Sequence, residues 1–261
     1  MNGNQLKQFF NTHYPQDLAY DWDNVGLQIG SSNAPVKGIL IALDVTKAVV
    51  EEAIDKGCNY IVSHHPLIFK PLKNILTDSY RGQVLETLMK HDINVYVSHT
   101  NYDLGHQGMN HVLAQKLELL SPEILDYTDD TFGIGRVGTW AEEKSLDEAI
   151  HFIKERLAIP MARLILHPKH TQKSIRTIAI SGGSGASHMF AAKRAGADLY
   201  LTGDISYHQA QDMLQMGLSA MDIGHYTEHH FKEALKKELL DFGFEADIHI
   251  SETEVDPFTF V

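Results

Sequence analysis

Asn59-Tyr60-Ile61-Val62-Ser63-His64-His65-Pro66 is the stretch that decides the fold and points to the chemistry. It begins as a short apolar run with β-branched residues, which is typical of a buried strand. Pro66 cannot donate a hydrogen bond to a sheet and favours extended geometry at His65, so the strand must end here. We therefore expect two imidazoles at the carboxyl end of a strand, the edge at which open α/β sheets bind ligands.

The two adjacent histidines suggest more than one metal ion. Successive residues of a strand point to opposite sides, so neighbouring histidines are awkward ligands for one ion and natural ligands for two. The alternative is a pair of ordinary loop histidines, one capping a backbone group and the other solvated. The rest of the chain has to decide between these interpretations.

Composition sets the broad class of the protein. Hydrophobic residues make up 43% and charged residues 21% of the 261 residues, which is ordinary for a soluble protein. No apolar run is long enough to span a bilayer, and residues 1–7 lack the layout of a signal peptide. The single cysteine, Cys58, excludes an intramolecular disulfide and predicts a cytoplasmic protein. A net charge of −12 makes nucleic acid a poor candidate partner.

Strands and helices alternate along the first half of the chain, which predicts an α/β fold with a mostly parallel sheet. Besides the strand in the Tyr60 run, which stops at the histidines and Pro66, we expect strands at 38–43 and 93–97 and helices at 5–12, 49–54, 82–90 and 110–119. The strand at 93–97 ends in Ser98-His99-Thr100-Asn101-Tyr102-Asp103. His99 and Asp103 are thus a second set of metal-competent groups at a strand's carboxyl end. Asp23 and Asn24 could also reach the site, although their neighbour Gly26 favours turn chemistry.

A second half repeats the pattern of the first. When the two strand regions are superimposed, Gly57 falls on Gly196, Ser63 on Thr202 and His65 on Asp204. The correspondence predicts two related α/β domains with parallel or mixed sheets and a metal site in the cleft between them. A chance resemblance of two βαβ units is the alternative.

A polar, glycine-rich stretch at 122–138 is typical of a domain boundary. We therefore expect a first domain of residues 1–120 plus 222–261 and a second of residues 121–221. The C-terminal helix at 231–240 and strand at 246–250 are too short to fold alone and should return to the first domain. The loop Ser181-Gly182-Gly183-Ser184-Gly185 could cradle a phosphate, but it lacks the lysine of a P-loop.

The segment His225-Tyr226-Thr227-Glu228 strengthens the metal interpretation. If a helix starts near Thr227, His225 and Glu228 can converge on one ion, and the carboxylate can share its two oxygens between ions. The alternative is that Glu228 merely favours a helix N-terminus through the macrodipole. His229 and His230 are expected to face solvent on the following helix.

Together these positions form a mixed imidazole and carboxylate set. Its members are His64, His65, Asp103, His225 and Glu228. Such a set suits zinc, iron, manganese, cobalt or nickel and is too rich in nitrogen for calcium. No cysteine accompanies the motifs, so a structural zinc site of the cysteine type is not expected.

Seven short motifs follow one another along the chain: Trp22-Asp23-Asn24-Val25-Gly26-Leu27, Ser63-His64-His65-Pro66, His99-Thr100-Asn101-Tyr102-Asp103, Gly182-Gly183-Ser184-Gly185, Thr202-Gly203-Asp204, Gly224-His225-Tyr226-Thr227-Glu228 and Asp256-Pro257-Phe258. In this order they resemble the Nif-three-like dinuclear metal-centre family, whose members are often called GTP cyclohydrolase type-two homologues. The resemblance implies a two-domain protomer, a toroidal homohexamer and two divalent metal ions held by the five residues above. Some members carry a large domain inserted between the halves, and this chain is too short for that insertion.

Two functions follow from the metal set and the resemblance. The first is a metal-dependent hydrolase with a small-molecule substrate, as in a GTP cyclohydrolase-type opening of a purine nucleotide ring. His99, Asp204 and His208 are then the candidate acid or base groups. The second is a non-catalytic metal-binding scaffold or regulatory protein. Metal-dependent turnover across a panel of nucleotides and esters discriminates the two.

Overall fold

The computed structural model describes residues 2–171, 173–259 and 261. The chain divides into two compact units, Met1–Tyr102 with Phe231–Thr259, and Asp103–His230. Residues 103–120 and 222–230 thus group with the second unit, whereas the sequence placed them with the first. A physical reason is that the helix at Met109–Lys116 packs against strands of the second sheet. No helix in the described residues is both long enough and apolar enough to cross a membrane.

The helices and strands are numbered in chain order. They are α1 (Gly3–His13), β1 (Gly26–Ile29), β2 (Gly38–Ala42), α2 (Lys47–Asp55), β3 (Tyr60–Ser63), α3 (Tyr80–Lys90), β4 (Asn94–Val97), α4 (Thr100–Leu104), α5 (Met109–Lys116), β5 (Leu120–Tyr127), β6 (Gly133–Lys144), α6 (Leu146–Arg156), β7 (Arg163–Ile165), β8 (Ile175–Ile180), α7 (Met189–Arg194), β9 (Leu199–Thr202), α8 (Tyr207–Gln215), β10 (Ala220–Asp222), α9 (His230–Asp241) and β11 (Asp247–Ile250). These elements confirm the predicted α/β class.

The sheet of the first unit has the strand order β1-β4-β3-β2-β11 among the described residues. Its strands are parallel except β1, which pairs antiparallel with β4. Every residue of β2, β3 and β4 is buried, as expected for strands covered on both faces. The C-terminal strand β11 pairs with β2, so the end of the chain returns to the first sheet.

The sheet of the second unit has the order β5-β6-β8-β9-β10-β7 among the described residues. Strands β8, β9 and β10 are parallel, and β5, β6 and β7 run antiparallel to their neighbours. The stretch at 122–138 is therefore a long hairpin, and its prediction as a domain boundary is wrong. The turn between β5 and β6 is closed by Asp129, whose carboxylate accepts from the Thr131 and Phe132 amides. Polar turn residues and glycines can close a hairpin as well as they can join domains.

The two sheets share one connectivity. In each, an antiparallel strand precedes three parallel strands: β1 precedes β2, β3 and β4, and β7 precedes β8, β9 and β10. Ser63 ends the central strand of the first set, and Thr202 ends the central strand of the second. The amides that follow the third strands, Ser98 and Ile223, donate to the carbonyls of these two residues. The predicted equivalence of Ser63 and Thr202 therefore holds in the topology.

Helix α9 carries a partly buried carboxyl group into the first unit. The Glu238 carboxylate accepts from the hydroxyl of Tyr14 at 2.9 Å and from that of Tyr102 at 3.0 Å. Burial raises the pKa of Glu238 to about 7, although the two hydroxyl donors oppose the change. The Glu238 carboxyl group thus connects the end of α1, helix α4 and helix α9. Its ionised form is poorly solvated there.

We expect Glu238→Gln to change how stability depends on pH. Glu238 keeps its proton up to about pH 7 when folded but loses it near pH 4.5 when unfolded, so its contribution to stability falls as pH rises between these values. Between pH 5 and pH 8 the variant should lose roughly 2 kcal/mol less unfolding free energy than the unaltered protein. Urea unfolding at both pH values measures this. Glu245→Gln, at an exposed position of the same unit, is the control, and equal pH dependence of all three proteins contradicts the assignment.

Candidate metal centre

Three histidines of the first unit lie together. His64 and His65 follow β3, and His99 follows β4, where the parallel strands end at one edge of the sheet. Each offers a ring nitrogen, and the three nitrogens lie within 4.8 Å of one another. His64 is fully buried, and the other two are partly buried. The residues present could therefore hold a metal ion.

The orientation of His64 follows from the pairing of β3 with β4. Its Nδ1 lies 2.9 Å from the Ser98 carbonyl oxygen. A carbonyl oxygen only accepts, so Nδ1 carries the proton and Nε2 keeps its lone pair in the neutral ring. Such an acceptor on the far ring nitrogen is the usual support of a metal-binding histidine.

His65 is oriented by a carboxylate from the neighbouring strand. Its Nδ1 lies 3.0 Å from Asp44 Oδ1, in the loop after β2. Glu254 fixes that loop, because its carboxylate accepts from the amides of Leu43 and Asp44 at 2.6–2.9 Å. Thr46, and not Asp44, caps the N-terminus of helix α2, because the Thr46 hydroxyl accepts from the Val49 amide. Asp44 is thus left to hold the imidazole.

His99 is held in the same manner by Asp23. Its Nδ1 lies 2.9 Å from Asp23 Oδ1, and the other carboxylate oxygen accepts from the amide and hydroxyl of Thr100. Burial opposes ionisation of Asp23, but the hydrogen bond and charge of His99 and the Thr100 donors lower its pKa to about 2. The carboxylate is therefore ionised at neutral pH. The segment before β1 therefore supports the site through Asp23, a role that its turn-like sequence does not by itself indicate.

The second unit carries a fourth histidine with two carboxylates. His225 Nδ1 lies 2.7 Å from Asp204 Oδ2, and its Nε2 lies 3.1 Å from Glu228 Oε2. Residues 225–229 form a 3₁₀ turn, in which residues three apart eclipse each other, so His225 and Glu228 face the same way. Asp204 has a positive φ of 55°, which costs a non-glycine residue energy and often marks a functional site.

Glu228 is buried against the glycine loop. Gly183 has a φ of +58°, and a Cβ built there would overlap Glu228 Oε1, while one at Gly182 would lie 3.7 Å from Glu228 Cγ. The loop therefore makes room for a carboxylate. A phosphate cradle in the same place would bring two negative groups together, which disfavours that interpretation.

Asp103 belongs to the same unit and is buried in α4. Its backbone carbonyl accepts from Asn110 Nδ2 at 3.1 Å, and Asn110 Oδ1 accepts from the Gly182 amide at 2.9 Å. Asn110 thus connects the segment of Asp103 to the loop that packs on Glu228. Arg136 supports the chain after α4 by donating to the carbonyls of Gly105 and His106.

The remaining predicted positions have mixed outcomes. His208 lies exposed in α8, with its ring 5.4 Å from that of Tyr207. His230 is buried, and its prediction as a solvent-facing residue is wrong, because its Nε2 lies 3.1 Å from the Leu157 carbonyl oxygen. Burial, with the charges of His229 and Lys116, lowers the pKa of His230 to about 3.

Two supporting carboxylates were underrated from the sequence. Asp23 was expected either to reach the site or to serve turn chemistry, and Asp44 was not among the expected site residues, yet each accepts from the Nδ1 of a site histidine. One available signal is position, since Asp44 lies two residues after β2 just as His65 lies two residues after β3.

The fold and these side chains define an α/β protein with two mixed sheets and histidine and carboxylate groups that could hold divalent metal. The chain belongs to the Duf34/NIF3 (NGG1p interacting factor 3) family, whose model matches residues 1–257.

Named relatives and a solved structure agree with this membership. The chain is 37% identical over 263 residues to a Streptococcus pneumoniae protein named GTP cyclohydrolase 1 type 2 homolog, covering 99% of each chain. A Bacillus subtilis protein of the same name is 30% identical over 372 positions, covering 100% of this chain and 99% of the relative. The crystal structure of a Bacillus cereus protein related to NIF3 matches with a TM-score of 0.93 at 29% identity, covering 100% of this chain and 99% of that one.

We expect Gly183→Ala to destabilise the protein more than Gly196→Ala. Both glycines have positive φ, so both alanines pay roughly 1 kcal/mol of backbone strain. At Gly196 nothing lies within 4 Å of the new Cβ, whereas at Gly183 the Cβ must displace the Glu228 carboxylate. Chemical unfolding of the two variants measures the difference, which isolates the Glu228 contact. Equal losses would show that Glu228 moves aside without cost.

Proposed function

We propose that this protein is a dinuclear divalent-metal-dependent hydrolase. The proposed ligands are His64, His65, Asp103, His225 and Glu228. The proposal is supported by one recurring feature: each of four histidines has its Nδ1 on an oxygen acceptor. The pairs are His64 with Ser98, His65 with Asp44, His99 with Asp23, and His225 with Asp204. All four rings therefore present Nε2 as the nitrogen able to bind a metal.

The donor set fits a first-row transition metal. Imidazole nitrogens with carboxylate oxygens suit zinc, iron, manganese, cobalt or nickel, and two carboxylates offer four oxygens for sharing between two ions. Bound divalent ions would lower the pKa of a coordinated water and polarise the substrate atom that it attacks. The carboxylates of Asp103 and Glu228 would offset much of the positive charge.

The other polar groups have distinct proposed roles. Asp204 positions His225 by accepting a hydrogen bond from its Nδ1, so it acts through the imidazole. His99 lies with His64 and His65 and is the group best placed to hold or deliver a proton near them. His208 remains a candidate acid or base on α8.

The substrate class comes from the relatives. Relatives that this chain covers over more than 90% of their length are named GTP cyclohydrolase 1 type 2 homolog. A purine nucleotide is therefore the first substrate to test. We propose hydrolytic opening of its five-membered ring, with the toroidal homohexamer of the family resemblance as the assembled form. A non-catalytic metal-binding scaffold is the second candidate, and the family description, which names an interacting factor, favours it.

Glu228→Gln tests the metal ligands. The unaltered protein should hold about two divalent ions per protomer, and the variant should hold fewer because the amide lacks the charge and one acceptor oxygen. Elemental analysis gives the ion content, and the melting temperature reports the fold. Glu123→Gln, on β5, is the control and should keep full content. Full occupancy in Glu228→Gln, with melting little changed, would mean that Glu228 binds no ion.

Turnover across a panel of GTP, other nucleotides and phosphate esters separates the two functions. We expect metal-dependent hydrolysis of at least one compound and its loss by more than about 100-fold in His64→Ala, which removes an oriented ligand. Size-exclusion chromatography with light scattering should show the same assembly for both proteins. His167→Ala, at a histidine of the second unit outside the proposed ligand set, is the control. Stable metal binding without turnover of any compound would favour the scaffold.

A further inference from the structure

An exposed aromatic cluster lies in the first unit, outside the metal ligands. The rings of Tyr20 and Trp22 are stacked with centroids 5.6 Å apart, and Phe69 packs on Trp22 at 5.9 Å. Trp22 is 58% exposed and Phe69 is 41% exposed. Large aromatic rings kept at the surface leave apolar area in contact with water, which folding alone does not favour.

This aromatic cluster is attached to the candidate metal centre. The ring of Trp22 lies 6.2 Å from that of His99, in an edge-to-face arrangement of 73°. The residue after Trp22 is Asp23, whose carboxylate accepts from His99 Nδ1 and from Thr100. The carboxylate that fixes the imidazole thus belongs to the residue next to Trp22 in the chain.

Polar contacts also fix the loop that carries Phe69. The amide side chain of Gln28 accepts from the Ile68 N–H at 2.8 Å and donates to the Ile68 carbonyl oxygen at 3.3 Å. Asn24 Nδ2 donates to the same carbonyl oxygen. Phe69 thus follows a residue whose backbone is held by three side-chain hydrogen bonds. A ligand that binds the aromatic cluster would therefore not have to order this part of the loop.

We propose that Trp22, with Tyr20 and Phe69, stacks against a planar heteroaromatic ring of the substrate and places that ring beside His99. This assignment of substrate class rests on the proposed hydrolase function. Base–aromatic stacking tolerates different bases, because every base has a π face. Asp21 and Asp23 flank Trp22, so the cluster suits the ring of a nucleoside better than an anionic phosphate.

Nucleoside binding to Trp22→Ala tests the proposal. Calorimetry with guanosine, adenosine, GTP and inorganic triphosphate would compare the unaltered protein with Trp22→Ala, Trp22→Phe and Phe190→Ala. Phe190 is 57% exposed and lies on α7 in the second unit, which makes it a matched control. Trp22→Ala should bind both nucleosides and GTP about tenfold or more weakly, and Trp22→Phe should recover part of that loss. Binding of inorganic triphosphate and binding by Phe190→Ala should not change.

Two results overturn the proposal. One is equal binding of guanosine, including no binding, by the unaltered protein and Trp22→Ala. The other is a change of oligomeric state in Trp22→Ala, seen by light scattering, which would mean that a second copy of the chain covers the aromatic cluster. Elemental analysis and guanosine binding by chelator-treated protein test the proposed hydrolase and the proposed stacking site separately. If the protein holds no metal but guanosine binding still depends on Trp22, only the hydrolase function is rejected.

Discussion

The parallel pairing of neighbouring strands is the constraint on which the candidate metal centre depends. In the first unit, Ser63 on β3 pairs with Val97 on β4, so the two strands end together and the Ser98 amide donates to the Ser63 carbonyl oxygen at 3.0 Å. The next carbonyl, that of Ser98, then accepts from His64. A shift of one residue in this register would turn the side chains of a strand to the opposite face and remove the arrangement.

The acceptors around the histidines include two acidic residues that lie just beyond the ends of strands. Asp44 follows β2 and Asp204 follows β9, and both hold an imidazole of a neighbouring segment. His65 and Asp204 occupy corresponding positions, two residues after the central parallel strand of each sheet. At this position the first sheet therefore supplies an imidazole and the second supplies the carboxylate that supports one. An ion that binds only the folded chain would stabilise it in proportion to its affinity and concentration.

Much of the fold was predictable because its signals are local. Strand β4 lies within the predicted range 93–97, and the helices before and after β3 overlap the predicted ranges 49–54 and 82–90. The 122–138 hairpin was not predictable, since a turn and a domain boundary use the same residues and only pairing with β8 distinguishes them. The burial of His230 was also missed, because it depends on a carbonyl 73 residues away in the chain.

The sequence by itself determined the α/β class, the two related strand sets and the histidines at strand ends, since proline, glycine and apolar patterning act through neighbouring residues. Only the tertiary structure decided which nitrogen each imidazole presents, because the acceptors that fix Nδ1 come from other strands or loops: Ser98, Asp44, Asp23 and Asp204. The tertiary structure likewise brought Trp22 and Phe69 together from segments 47 residues apart. Such contacts depend on loop geometry and register, which composition and spacing do not encode.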